Sequence, residues 1–325
     1  MENTLIRCAD LFSGAGGSSY GARNAGVEIV AGFDYWKPAN KVYKENFPGA
    51  KVYSQDIREI NLKRLKNTIG KIDLVLASPE CTSHSKAKGA KEGTEKSRET
   101  AFQVVRFAKV FMPSWLVIEN VVDMVSWGRY RELIQKLSDL GYKIRDNVIL
   151  NAKDFGVPQS RERLFILCSL FDKPNIPDPS QTPTVPISKV IEKNTYQFTP
   201  LRKEGRAKAT ITRADSAIEV LGNENPFLLV YYGSAKTGNG GWQKISEPLR
   251  TITTVDRFAY VLPNGDGHKM RMLQPEELKR AMGYGEDFKL DSVQGITRRE
   301  RVKLMGNGVC PPVMEAIVKA LISQR

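Results

Sequence analysis

The first half of the chain alternates short apolar runs with longer amphipathic stretches, and this order constrains the fold more than any other feature. Residues 5–12, 27–33, 51–53, 72–77 and 115–118 read as strands, and residues 18–25, 37–46, 62–69, 100–111 and 130–140 as helices. Strands separated by helix-length crossovers pair in parallel, and the crossovers cover both faces of the sheet, so an α/β, doubly wound sheet is predicted. Residues 142–150 and 163–170 depart from the pattern. A turn-rich segment without a helix joins them, which predicts an antiparallel pair closing a mixed sheet.

From residue 171 to about 197 the texture becomes irregular and Pro-rich, with Pro174, Pro177, Pro179, Pro183 and Pro186 marking a linker. A Gly- and Thr-rich region runs to about 247, and ordered patterning then returns, ending in an amphipathic helix over 313–323. The expected organisation is a main domain over 1–170, a smaller domain over 171–247, and a return segment over 248–325 whose last helix packs back on the first domain.

Charge narrows the function classes. Forty-nine Lys and Arg face 36 Asp and Glu, a net +13 that points to a polyanion, most often nucleic acid. The excess is spread out, but residues 82–98 alone hold five Lys or Arg against two Glu. Cys8, Cys81, Cys168 and Cys310 show no paired spacing, and two histidines cannot complete a cluster, so neither a metal site nor a disulfide framework is expected. No apolar run is long enough to span a membrane and nothing reads as a signal peptide. A reduced, cytoplasmic protein is expected.

The residues with chemical potential sit where strands end. Cys81 follows the apolar run 72–77 through Ser78, Pro79 and Glu80, at the C-terminal edge where open α/β sheets bind ligands. Asp10-Leu11-Phe12-Ser13-Gly14-Ala15-Gly16-Gly17 carries a strand through a Gly-rich turn into a helix, which lets a ligand approach backbone and helix N-terminus. Asp34 lies 20 residues past Gly14, the distance of a ribose-binding carboxylate, and Asp56 holds the equivalent place one strand over. A nucleoside-bearing cofactor fits; the missing third spaced glycine disfavours a dinucleotide. Strand-end aspartates also cap helices, and that reading stays open.

Glu119 follows four apolar residues, and burial there would raise its pKa and suit it to act as an acid. In Gln159-Ser160-Arg161-Glu162-Arg163 the two arginines alternate, so they would share a face and fork onto oxygen acceptors. A solvated charged turn would read the same way. Gly306-Asn307-Gly308-Val309 is a tight turn ahead of the last helix.

Together, and in this order along nearly the whole chain, these segments resemble the DNA (cytosine-5) methyltransferase family. The resemblance implies a Rossmann-like methyltransferase fold and S-adenosylmethionine as cofactor. Phe12, Gly14 and Gly16 would hold it, Asp34 the ribose, and Asp56 and Ile57 the adenine, with Pro79, Asn307 and Val309 completing the site. It implies Cys81 as nucleophile, Glu119 as the acid, Arg163 toward the ring oxygen and Arg161 as an orienting group. Gln159 and Ser85 match motif positions expected near DNA. The variable stretch 171–247 is where the family places target recognition, with Arg202 and Lys236 among the candidate readers. Lys86 and Lys88, in a basic stretch with Gly89 and Gly93 as hinges, would meet phosphates as a loop closes over the duplex.

One departure stands out. The family reads Pro-Cys-Gln with a Ser four residues after the Cys; here Glu80 intervenes between Pro79 and Cys81, Thr82 takes the Gln position, and Ser85 keeps its place. The expected activity is methylation of a flipped-out cytosine in a short duplex site, in a bacterial or phage modification system, by a monomer. An RNA cytosine-5 methyltransferase and a silent DNA-binding paralogue are the alternatives.

Overall fold

In the computed structural model, the described residues are 5–80, 99–179, 183–232, 241–265 and 267–324. Cys81, Ser85, Lys86, Lys88 and Lys236 lie outside them. Strands β1 (Arg7–Leu11), β2 (Glu28–Phe33), β3 (Lys51–Tyr53), β4 (Leu74–Ala77), β5 (Trp115–Asn120), β6 (Lys143–Asn151) and β7 (Glu162–Ser169) form one sheet, ordered β3-β2-β1-β4-β5-β7-β6. The first five are parallel, and β7 runs antiparallel to both β5 and β6. Helices α1 (Gly17–Asn24), α2 (Lys37–Asn46), α3 (Leu62–Ile69), α4 (Phe102–Phe111) and α5 (Tyr130–Ser138) complete the expected mixed, doubly wound layer.

Period-2 alternation sorts the sheet residues between two cores. Cys8, Leu74, Leu76, Trp115 and Val117 face α1 and α2, while Ala9, Leu11, Val75, Leu116 and Ile118 face α3, α4 and α5. Helix α3 shows the local logic. Asn61 caps it by accepting from the Arg64 N–H (3.1 Å), Leu62, Leu65 and Ile69 fall on its buried face, and Gly70 ends it. Each such leucine, fully buried, contributes about 1.5–3 kcal/mol.

Beyond residue 170 a second sheet is built from β8 (Thr199–Pro200), β9 (Phe227–Val230), β10 (Trp242–Lys244), β11 (Phe258–Asn264) and β12 (Gly267–Met272), ordered β10-β9-β11-β12-β8. It draws strands from both sides of residue 247, so the segments 171–247 and 248–325 share one sheet. Helix α6 (Lys208–Leu221) packs Ala214 and Ala217 against Phe227, Leu229, Ala259 and Val261. The opposite face, with Leu228, Val230, Phe258 and Tyr260, joins the core of the first sheet. The smaller lobe therefore has one private core and one shared with the larger.

The chain closes with α7 (Pro275–Ala281), α8 (Arg298–Asn307) and α9 (Pro311–Ile322). Capping boxes start two of them: Gln274 with Glu277, and Thr297 with Glu300. Prolines at the first turn of α9 cost no hydrogen bond, and α9 packs on α1.

Candidate active site

The chain winds outward from β1 to β3 and then crosses back to β4 on the other side of β1. At such a switch point successive connections leave in opposite directions and open a crevice at the strands' C-terminal ends. A cavity of about 350 Å³ lies there, and its lining comes from the ends of β1, β2, β4, β5 and β7 together with α8 and the turn after it.

One wall is backbone. After β1, Phe12 adopts φ +59° and Gly14 φ +54°. The left-handed region costs a non-glycine residue roughly 1–2 kcal/mol, so Phe12 is held strained at the cavity edge. A Cβ at Gly14 would meet nothing within 4 Å, which leaves the turn open on its ligand side. Asp34 clamps it: Oδ2 accepts from the Gly14 N–H (2.9 Å) and Oδ1 from the Trp36 N–H (2.8 Å). Burial pushes the Asp34 carboxyl up, against the pull of these two N–H groups and of Lys303. The turn is also pinned from behind, because any side chain at Gly17 would collide with the Val309 carbonyl. Asn307 and Val309 thereby border the same space.

Beneath this wall, Asp10 is fully buried. Oδ2 accepts from the Ser19 hydroxyl (2.7 Å), which also meets the Tyr43 hydroxyl (2.7 Å), while Oδ1 has no hydrogen-bond partner. Burial pushes its pKa up to about 7. Asp56 does cap, accepting from the Arg58 N–H (2.9 Å) at the start of the 3₁₀ turn Ile57–Glu59 and pairing with the Arg58 guanidinium. It still borders the cavity, as does Ile57.

The other wall is charged. Glu119, at the end of β5, is 6% exposed and pairs with Arg163 Nε at 3.2 Å. Burial raises its pKa above the ordinary carboxylate value; Arg163, Arg161 and the Ser78 hydroxyl act in the opposite direction. Arg161 and Arg163 both line the cavity, with the exposed Glu162 between them, as strand alternation requires. They differ in task. Arg161 is buried and donates to the carbonyls of Ile252 (3.0 Å), Gly306 (2.9 Å) and Gly308 (2.9 Å), tying the 306–309 turn to the site. Asn120 Nδ2 donates to the Pro79 carbonyl (3.1 Å), fixing the chain two residues before Cys81. The ladders flanking β4 run to Ala77 without a register shift, so Glu80 is accommodated beyond the strand.

Gln159 corrects the expectation of a DNA contact. It is 0% exposed; Nε2 donates to the Ala281 carbonyl (3.2 Å) and Oε1 accepts from the Ile252 N–H (2.9 Å). It ties the approach to β7 to the segment at Ile252 and to the end of α7, and is buried away from any surface a duplex could meet. Arg202 is exposed on the smaller lobe, paired with Asp215, and does not line the cavity.

Ser13, Tyr35, Trp36 and Lys303 line the cavity although sequence reasoning did not select them. The Asp34-Tyr35-Trp36 run was the available signal, two aromatics directly after the ribose-type acid. Lys303 Nζ sits 4.4 Å over the Trp36 ring, a cation–π contact that places α8 against the end of β2. The open Gly14, the strained Phe12 and a buried Ser13 hydroxyl without a hydrogen-bond partner together fit a nucleoside with further polar groups. Among the described residues no group of His, Cys, Asp and Glu could hold a metal ion, and no helix is long and apolar enough to cross a membrane.

Comparison with known proteins agrees with this geometry. The family model for C-5 cytosine-specific DNA methylases matches residues 6–323. The chain is 35% identical to the type II methyltransferase M1.HphI of Haemophilus parahaemolyticus, covering 99% of this chain and 89% of that one. It is 26% identical to M.HindV of Haemophilus influenzae, over 98% and 97% of the two chains. A solved structure of a Spodoptera frugiperda DNMT2 variant shares the fold with a TM-score of 0.72 at 18% identity, covering 98% of this chain and 99% of that one. With a family model that matches nearly its whole length, the chain belongs to the C-5 cytosine-specific DNA methylase family.

Proposed function

We propose that the chain transfers a methyl group from S-adenosylmethionine to C5 of a cytosine flipped out of a short duplex DNA site, through covalent addition of Cys81 at C6. The observation that carries this reading is a single cavity with two unlike walls: a Gly-rich turn clamped by Asp34 on one side, and a buried Glu119–Arg163 pair on the other.

C5 of cytosine is a poor nucleophile, and the ring must be activated before it can accept a methyl group. The Cys81 thiolate adds at C6 and converts C5 into an enamine-type carbon. Glu119, kept toward its protonated form by burial, donates to N3 as the thiolate adds, and its other oxygen accepts from the exocyclic amine. Arg163 stays beside Glu119 and turns its remaining N–H groups to the ring oxygen. Arg161 holds the 306–309 turn and lends positive charge to the same wall. Bound S-adenosylmethionine supplies an electrophilic methyl group, held by the Phe12–Gly14 turn with Asp34 on the ribose and Asp56 and Ile57 at the adenine. Once C5 carries the methyl group, its proton passes to solvent, the Cys81 sulfur leaves C6 as thiolate, and the N3 proton returns to Glu119 as the ring is restored. A stacked base cannot reach this cavity, so flipping costs a few kcal/mol, offset by contacts of the basic surface with phosphates. Ser85, Lys86, Lys88, Arg202 and Lys236 are the residues proposed to make them.

The test is transfer of labelled methyl from S-adenosylmethionine to mixed-sequence duplex DNA by wild type and Cys81→Ala, with the modified base identified. The reading expects 5-methylcytosine from wild type and none from the variant. Transfer to tRNA alone, or to no nucleic acid, would refute it.

A further inference from the structure

The mouth of the cavity carries a contact that the reaction above does not use. Tyr35 follows β2 and Glu80 follows β4, and the Tyr35 hydroxyl donates to Glu80 Oε1 at 3.2 Å. In the sheet β1 lies between those two strands. Two strand spacings separate β2 from β4, about 10 Å, so a bond between their trailing residues passes over the C-terminal end of β1. That is where the Phe12–Gly14 turn begins.

Both residues border the cavity, yet Tyr35 is 63% exposed. A large ring left in solvent at a rim gains little from packing on its own chain. The ends of the bridge are better anchored than its middle: Trp36 N–H and the Asn40 amide hold Asp34 just before Tyr35, and Asn120 holds the Pro79 carbonyl just before Glu80.

We infer that Tyr35 and Glu80 form a strap across the cofactor mouth, with Glu80 a positioning residue that acts through Tyr35 to slow escape of the bound nucleoside. This rests on reading the cavity as the S-adenosylmethionine site. The residue that interrupts the family's Pro-Cys pattern thereby has a task of its own. One neutral acceptor suffices for the bond, so glutamine at position 80 keeps the strap and alanine removes it.

The experiment measures binding and dissociation of S-adenosylhomocysteine, by calorimetry and stopped-flow, on wild type, Tyr35→Phe, Glu80→Ala, Glu80→Gln and the Tyr35→Phe/Glu80→Ala double variant. Thermal unfolding of each protein serves as the folding control. A single exposed hydrogen bond predicts dissociation faster by about threefold to tenfold in Tyr35→Phe and Glu80→Ala. The double variant should lose no more than either single one, and Glu80→Gln should dissociate like wild type. Wild-type dissociation in Tyr35→Phe, or losses that multiply in the double variant, would overturn the strap while leaving the cofactor site standing. Failure of the wild type to bind would overturn the site reading, and the strap with it.

Discussion

Each wall of the cavity buries a carboxylate, and the two are kept in opposite ways. Asp10, under the backbone wall, is met by the Ser19 hydroxyl and backbone N–H with no cation among the groups that shift it, and burial pushes its pKa up to about 7. Glu119, on the charged wall, has the Arg163 guanidinium at 3.2 Å and feels Arg161 as well. A buried acid without a cation escapes the cost of its charge by taking a proton. For Glu119 burial is the larger effect and raises the pKa, while the two arginines pull it back down. The first arrangement lies under the turn; the second is the one proposed to move a proton.

That contrast can be broken by exchanging the acids for their amides. Glu119→Gln keeps the shape and removes the proton, and methyl transfer should fall by at least about a hundredfold while S-adenosylhomocysteine affinity is retained. Single-turnover transfer beside calorimetric binding checks this. Equal losses in both would merge the two walls into one.

Asp10 should answer in stability instead. Folding raises its pKa from 3.8 to about 7, so between those values the folded state holds the extra proton. Stability then falls as pH rises from about 4 to 7, by on the order of a few kcal/mol, and is highest below that window. Asp10→Asn should flatten this slope in denaturant titrations across the same range and keep transfer activity. An unchanged slope would mean that Asp10 is ionised in the fold.

Gln159 sharpens the comparison at a smaller scale. Its amide joins residues 93 and 122 positions distant, so Gln159→Ala should cost about 1–3 kcal/mol of stability through unsatisfied partners. Duplex affinity of the folded variant should not change. Affinity loss without destabilisation would return Gln159 to the DNA surface.

The same divide explains what the sequence could tell. Strands and helices of the first sheet are local patterns, and α2, β3 and α3 fall at residues 37–46, 51–53 and 62–69 as read. The turn after β1 and the acid after β2 are likewise local, because glycine spacing and strand ends are written in adjacent residues. Helix α6 was hidden because its buried positions, Thr210, Ala214 and Ala217, are too small to give an apolar stripe. The Gln-Ser-Arg-Glu-Arg run showed alternation but not task. Arg161 and Gln159 are committed by carbonyls and N–H groups at 252, 281, 306 and 308, and nothing near 160 announces those partners. Tyr35 and Glu80 meet for the same reason, across 45 residues and an intervening strand.

The most direct test of the central claim is covalent capture on duplex DNA in which target cytosines carry fluorine at C5. Once sulfur has added at C6 and the methyl group has been transferred, fluorine cannot leave as a proton does, so the sulfur is not expelled. The account predicts a stable protein–DNA adduct that requires S-adenosylmethionine, maps to Cys81 by mass spectrometry and is absent from Cys81→Ala. An adduct at another residue, or active methylation of ordinary duplex with no adduct on the fluorinated one, would contradict it.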